Sequence, residues 1–383
     1  MSNNFIKSNP YVFPFQEFKD LTNKKLNVAK SSKTINFNEV TELLQKFTKS
    51  ISIDLSPFMD KNTTTEERLF AFFISDTIRF GELQMYLDNK EKWIKKFSKA
   101  LEDKKFNFSI LGLPFKVPIP LKTKRKNPDF AELMAIARLE YIGESIEKIT
   151  GTKTTINAVT EGAFAKFVNA DVKAAEYYGE YLKETAKTLG YTHLNILPLN
   201  KMEEYVDNFD ELFKKKVAEF TKKHEDKDPS VIEKVEGALP IINRIVKPES
   251  TDVMTLMNVY NFDIPNDQLS SEEKRVREAL IKFALPSSFE YFSYLELRDD
   301  LNFLQKEFGE NYLPLTVSPK ANRLGIIPIH QNITVLPHHG VPVYDQKNEI
   351  FNIMYLIDVL QTYDFIEAHL ENDDDTAPFL YLI

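Results

Sequence analysis

Three prolines, Pro114, Pro118 and Pro120, follow directly on a stretch that alternates apolar and polar residues, Phe106-Asn107-Phe108-Ser109-Ile110. The alternation predicts a half-buried strand. Prolines at that density cannot join a helix or a paired central strand, so the residues between them form a stiff, irregular loop at the strand's carboxyl end. Five basic residues fall on that loop: Lys116, Lys122, Lys124, Arg125 and Lys126. Directly after it, Asn127-Pro128-Asp129 reads as a helix cap, a first-turn proline and an acid matched to the helix dipole. Carboxyl ends of strands are where α/β sheets bind ligands, and a helix start beside basic residues favours anions.

A chain of 383 residues with 43% apolar content can fill one large core or two ordinary ones. Its net charge of -8 argues against a nucleic-acid surface, the basic loop being a local exception. The absence of cysteine removes disulfides, thiol nucleophiles, cysteine zinc sites and iron–sulfur clusters. The first residues, MSNNFIKSNPYVFPFQEF, contain no continuous apolar run with a cleavage site, and nowhere do eighteen apolar residues run together. The expectation is a soluble cytoplasmic protein with neither membrane nor nucleic acid as partner; its oligomeric state is left open.

Periodicity predicts an α/β protein with a mixed sheet, mostly parallel in its first half, with antiparallel C-terminal strands and helices on both faces. Residues 1–104 form a helical arm, with helical spacing over 37–51, from 65 onward, and over 91–101. The central unit, 105–345, alternates a strand at 106–110, a helix at 128–149, a strand at 154–159, a helix at 171–189 and a strand at 193–197. Residues 201–308 form a helical insertion, broken at Pro229, Pro240, Pro248 and Pro286. Short segments at 312–317, 323–329, 333–336 and 341–344 are spaced closely enough to be antiparallel strands. A helix over 349–370 and an acidic, then apolar, tail occupy 346–383, the tail being docked or sticky.

No two of the eleven glycines lie closer than eight residues, so neither GxGxxG nor GxxxxGK exists. GxSxG, HExxH and HxH are also absent. What remains is the basic loop, Glu161 in a turn after the 154–159 strand, and His330, His338 and His339. Lys116 and Lys122, held amid prolines and apolar residues, read as aimed at a ligand. For Lys124 to Lys126 a solvated charge run is an equal reading. Glu161 serves equally as an exposed turn carboxylate. Asp129 and Glu132, three apart in a first turn, are explained by capping and the dipole. His338 and His339 are adjacent, so in an extended segment only one faces a site, where it can act as acid or base; the other reading is a surface turn. A metal set of His330, one of this pair and Asp345 has the composition of a non-haem oxygenase site but no diagnostic spacing.

The order of strand, LPFKVP, a further lysine, and PDFAEL opening a helix resembles the isonitrile synthase family, the pyoverdine and dityrosine biosynthesis proteins. The resemblance continues through TINAVTEGAFAKFV, AEYYGEYLKETAKTLGYTHLNILPL, LPLTVSPKANRLGIIPI and LPHHGVPVYD. It implies conversion of the amine of an aromatic amino acid to an isonitrile, with ribulose 5-phosphate giving the carbon, and with neither cofactor nor metal. It implies catalytic roles for His339, Glu161 and Lys116. Lys122, Lys124, Arg125, Asp129, Glu132, Arg323 and His338 would bind the amino acid and the sugar phosphate. The chain departs from the family pattern at Val117 and Ile119, where the family has Ser and Asn, at Pro314 and Ser318, where it has Arg and His, and at His338, where it has Trp. Either the substrate differs or the chain is a non-catalytic descendant that binds a phosphorylated metabolite or a partner protein.

Overall fold

The computed structural model describes residues 26–118, 122–168, 170–200, 206–235, 266–301, 303–317, 322–333 and 335–383. Its centre is a strand–helix–strand–helix–strand run: β2 (Phe106–Leu111), α5 (Phe130–Thr150), β3 (Thr154–Thr160), α6 (Val172–Thr188) and β4 (Leu194–Pro198). Ahead of it stand β1 (Ser31–Ile35), α1 (Phe37–Ser50), α2 (Thr65–Ile74), α3 (Leu83–Leu87) and α4 (Lys90–Glu102). Local chemistry fixes the ends of these helices. Asn36 with Glu39 and Thr64 with Glu67 form reciprocal capping boxes at α1 and α2, and Gly151 at φ 68° terminates α5.

After β4 come α7 (Phe209–Glu225), α8 (Ser271–Asp300), α9 (Phe303–Phe308), β5 (Leu313–Thr316) and β6 (Leu324–Gly325). Five strands make an all-parallel sheet in the order β4-β3-β2-β5-β6. A ladder of asparagine side chains reinforces its register: Asn195 Nδ2 donates to Asn157 Oδ1 at 2.9 Å, and Asn157 Nδ2 to Asn107 Oδ1 at 2.6 Å. One face is covered by the aromatic residues of the early helices, where Phe73, Phe97, Phe106 and Phe108 are fully buried and their rings in contact. Each contributes on the order of 1.5–3 kcal/mol of apolar burial. The other face packs on a second cluster that includes Phe209, Tyr294, Leu297 and Phe303 of α7, α8 and α9.

The C-terminal part adds β7 (Val341–Asp345), β8 (Ile350–Met354), α10 (Leu356–Thr362), β9 (Ile366–Leu370) and β10 (Leu380–Leu382). With β1 they form a second, mixed sheet, β1-β9-β10-β7-β8. The tail is docked: β10 lies between β7, parallel, and β9, antiparallel.

Four expectations are corrected. The strands at 313–316 and 324–325 are parallel: the helical run after β4 carries the chain back to the same end of the sheet before β5 begins, and β6 pairs parallel with β5 in turn. Residues 333–336 form no strand over those that are described. The helix expected over 349–370 is the strand–helix–strand β8–α10–β9. Its start is a hairpin turn in which Asp345 Oδ1 accepts from Lys347 N and Asn348 N, after which Glu349 adopts φ 54° and Phe351 and Ile353 alternate inward. Pro286 lies inside α8 without ending it, and Pro229 opens a helical stretch; Pro240 and Pro248 fall outside the described residues, as do residues 1–25 of the expected arm. No described helix is long and apolar enough to cross a membrane.

Candidate active site

In the parallel sheet the chain moves from β2 to β3 to β4 in one direction and then places β5 and β6 on the other side of β2. Loops leaving β2 and β5 therefore diverge, and a crevice at their carboxyl ends is the site such a topology offers. The loop from β2 carries Lys116 into it.

Lys116 is not exposed there. Its side chain has no accessible surface, and Nζ meets Asp129 Oδ2, Glu132 Oε2 at 3.1 Å and the Gly340 carbonyl at 3.4 Å. Asp129 and Glu132 are equally inaccessible and form the capping box of α5. Asp129 Oδ1 accepts from Ala131 N at 2.9 Å, and Glu132 Oε2 from Asp129 N at 2.9 Å. The cap is thus Asp129 and not Asn127, whose side chain turns away to Asp374. Burial holds the Asp129 carboxyl well above the usual carboxylate range; Lys116 opposes this and Glu132 adds to it. Tyr178 of α6, also buried, has its hydroxyl pushed well above the ordinary tyrosine range by burial and by the same two carboxylates. The start of α5 is therefore occupied by the protein's own acids, and the expected anion site at that helix start is closed.

Pro337-His338-His339 forms a 3-10 turn, because Pro337 follows the extended Leu336 and His339 N bonds back to the Leu336 carbonyl. The two imidazoles do not point to opposite faces, as extended backbone would require; their centroids lie 4.1 Å apart. His338 is lowered to about 3 by burial and by the neighbouring charges of Lys116 and Lys122, so it is neutral through the physiological range. Lys122 is 2% exposed, with Nζ 5.8 Å from the Tyr355 ring centre and its carbonyl accepting from Leu356 N. Lys116, Lys122, His338 and His339 are thus gathered from two distant parts of the chain.

The other candidates are elsewhere. Arg125 is buried and pairs with Asp373, donates to Ala377 O at 2.8 Å and lies over the Phe379 ring. Asp375 accepts from Lys126 N and Asn127 N, completing a clasp. Lys124 is exposed. Glu161, half-buried after β3, pairs with Arg298 of α8 at 2.6 Å. Arg323 is half-buried just before β6. Among the described residues no three His, Asp or Glu side chains are gathered as a metal site, so the set of His330, Asp345 and a turn histidine is not assembled. His330 instead accepts from Asn332 N, and Asp345 holds its hairpin turn.

Sequence reasoning missed Tyr178, Tyr355, Gly340, Arg298 and Asp373. Only for Asp373 was there a signal, the complementarity of the acidic run Asp373–Asp375 to the basic loop. The remaining partners are set by tertiary packing.

Residues 94–284 match the model of the family described as pyoverdine/dityrosine biosynthesis protein. The crystal structure of the PvcA protein from Pseudomonas aeruginosa is similar in fold, with a TM-score of 0.57 over 82% of this chain and 99% of that one, at 16% identity. No curated protein matches by sequence.

Proposed function

We propose that this chain, whose residues 94–284 match the pyoverdine/dityrosine biosynthesis protein family, is an isonitrile-synthase-type enzyme of that family acting on an amino acid and a phosphorylated ketose. The observation that carries this reading is the assembly, at the switch point of the parallel sheet, of Lys122 and the His338-His339 turn beside the PDFAEL helix start. Condensing an amine with a ketone forms an imine and releases water. That step needs a neutral amine, a proton acceptor for its ammonium form and a proton donor at the leaving oxygen. His338, kept neutral by burial and two lysines, binds a proton too weakly for that step and serves as a hydrogen-bonding group, so the proton transfer is assigned to His339, whose ring lies beside it. The exposed Lys124 is placed to meet a phosphate or carboxylate, whereas Lys116 and Arg125 are turned onto protein acids.

A second reading, an altered-substrate or purely binding descendant, is favoured by buried Val117 and by Pro314 within β5, apolar residues at positions where the family carries Ser and Arg. Mass spectrometry of the purified protein incubated with each aromatic amino acid and ribulose 5-phosphate separates the two. An isonitrile product establishes the reaction. No product, with ribulose 5-phosphate still raising the melting temperature, supports the binding descendant. Neither effect would remove both readings.

A further inference from the structure

Lys116 makes contacts that an anion anchor has no use for. An ammonium group has three donors, and Nζ has three acceptors around it: Asp129 Oδ2, Glu132 Oε2 and Gly340 O. These belong to three separate pieces of the site. Lys116 itself rides the loop leaving β2; Asp129 and Glu132 begin α5; Gly340 directly follows the two histidines. The carbonyl is fixed from behind as well. A Cβ on Gly340 would meet Met354 O at 2.7 Å, Val335 Cγ1 at 2.7 Å and Ile353 Cγ2 at 2.8 Å, so the backbone there is pressed onto β8 and has no room to retreat.

We propose that Lys116 is a positioning residue and not a substrate anchor: through the Gly340 carbonyl it locks the His338-His339 turn to the start of α5. The inference rests on the proposed reaction only for what the histidines do. The lock itself stands on contacts alone. It also has an electrostatic side. The groups that act on His338 are Lys116 and Lys122 from the basic loop, with the His339 ring beside it; Asp129 and Glu132 lie against Lys116. Removing the Lys116 charge raises the pH at which His338 titrates.

The test uses the full chain, with the imidazole signals of the six histidines followed by NMR in histidine-labelled protein and assigned with His338→Gln and His339→Gln. Inorganic phosphate is the anion probe. In Lys116→Met the His338 and His339 signals move and His338 begins to titrate nearer 6.5. The rise in melting temperature caused by phosphate is retained, and any turnover shows kcat reduced at least tenfold with KM for the sugar phosphate changed less than threefold. Unmoved histidine signals with loss of the phosphate effect would make Lys116 an anchor and overturn the proposal. Should Lys116→Met not fold, Glu132→Gln decides. It keeps the side-chain volume but releases Lys116 from one acid, so anchoring predicts stronger phosphate stabilisation, whereas positioning predicts none and a displaced histidine pair. Because the histidine and phosphate measurements need no turnover, a protein that makes no isonitrile can still confirm or refute the lock.

Discussion

Lys116 and Arg125 stand nine positions apart on one loop, both buried and both paired with an aspartate, yet they tie the loop to different parts of the molecule. Lys116 is closed on all sides, with acids that have no water contact and belong to the next helix. Arg125 reaches a turn some 250 residues later, and its partner Asp373 lies at the edge, 9% exposed. The difference teaches what each contact is worth. An acid that can rehydrate loses little when its cation is removed; acids sealed in the interior cannot rehydrate and keep only the donors already within the fold. Between these two ties sits Lys122, held at the histidine turn.

Breaking the inner tie has the largest expected effect. Lys116→Met leaves the sealed Asp129–Glu132 pair without its cation, and a loss of about 3–5 kcal/mol is expected in urea unfolding. Breaking the outer tie with Arg125→Met removes charge-assisted bonds to Asp373 and Ala377, about 1.5–3 kcal/mol by the same assay. If the two losses came out equal, the contrast between sealed and edge partners would be wrong. The comparison is sharpened by pH. His338 has a folded value of about 3 against an ordinary 6.5, so the unfolded chain binds the proton first. Stability from this group is complete above 6.5 and is lost as pH falls from 6.5 toward 3, by at most about 1.4 kcal/mol per unit. Asp129 works the other way, its raised carboxyl retaining a proton in the folded state and so losing stability as pH rises above the usual carboxylate range. His338→Gln removes the first slope and leaves the second, which melting curves at several pH values would show. Lys124→Ala, on an exposed side chain, is expected to change stability by less than about 0.5 kcal/mol.

The alternation of β2, α5, β3, α6 and β4 was legible because its periods are clean and the start of α5 is marked by Pro128 and Asp129, although the cap itself fell two residues later than Asn127. Residues 349–370 were not. Leu356, Ile357 and Val359 give that stretch a helical look, and it took the Asp345 turn and the inward alternation of Phe351 and Ile353 to divide it into strands. At the site, the importance of the loop after β2 could be read from its prolines and lysines, but the partner of each charge could not. Glu161 finds Arg298, and Arg125 finds Asp373, across separations over which spacing carries no information. The histidine pair was misread because Pro337 starts a turn where extended backbone was expected.

The second sheet joins the two ends of the described chain: β1 runs beside β9, and Asn27 hydrogen-bonds Tyr363, 336 positions away. The parallel sheet closes its first three strands through single helices, a local affair by comparison. Loops of such different length set an order of events, since distant pairing pays its closure entropy before any contact rewards it. The parallel half is expected to assemble early, while the clasp on Arg125 and the histidine turn arrive with the late sheet. A chain caught midway would hold a formed nucleus around β2 and α5 and an unfinished crevice, so the completed candidate site is the last feature the fold acquires.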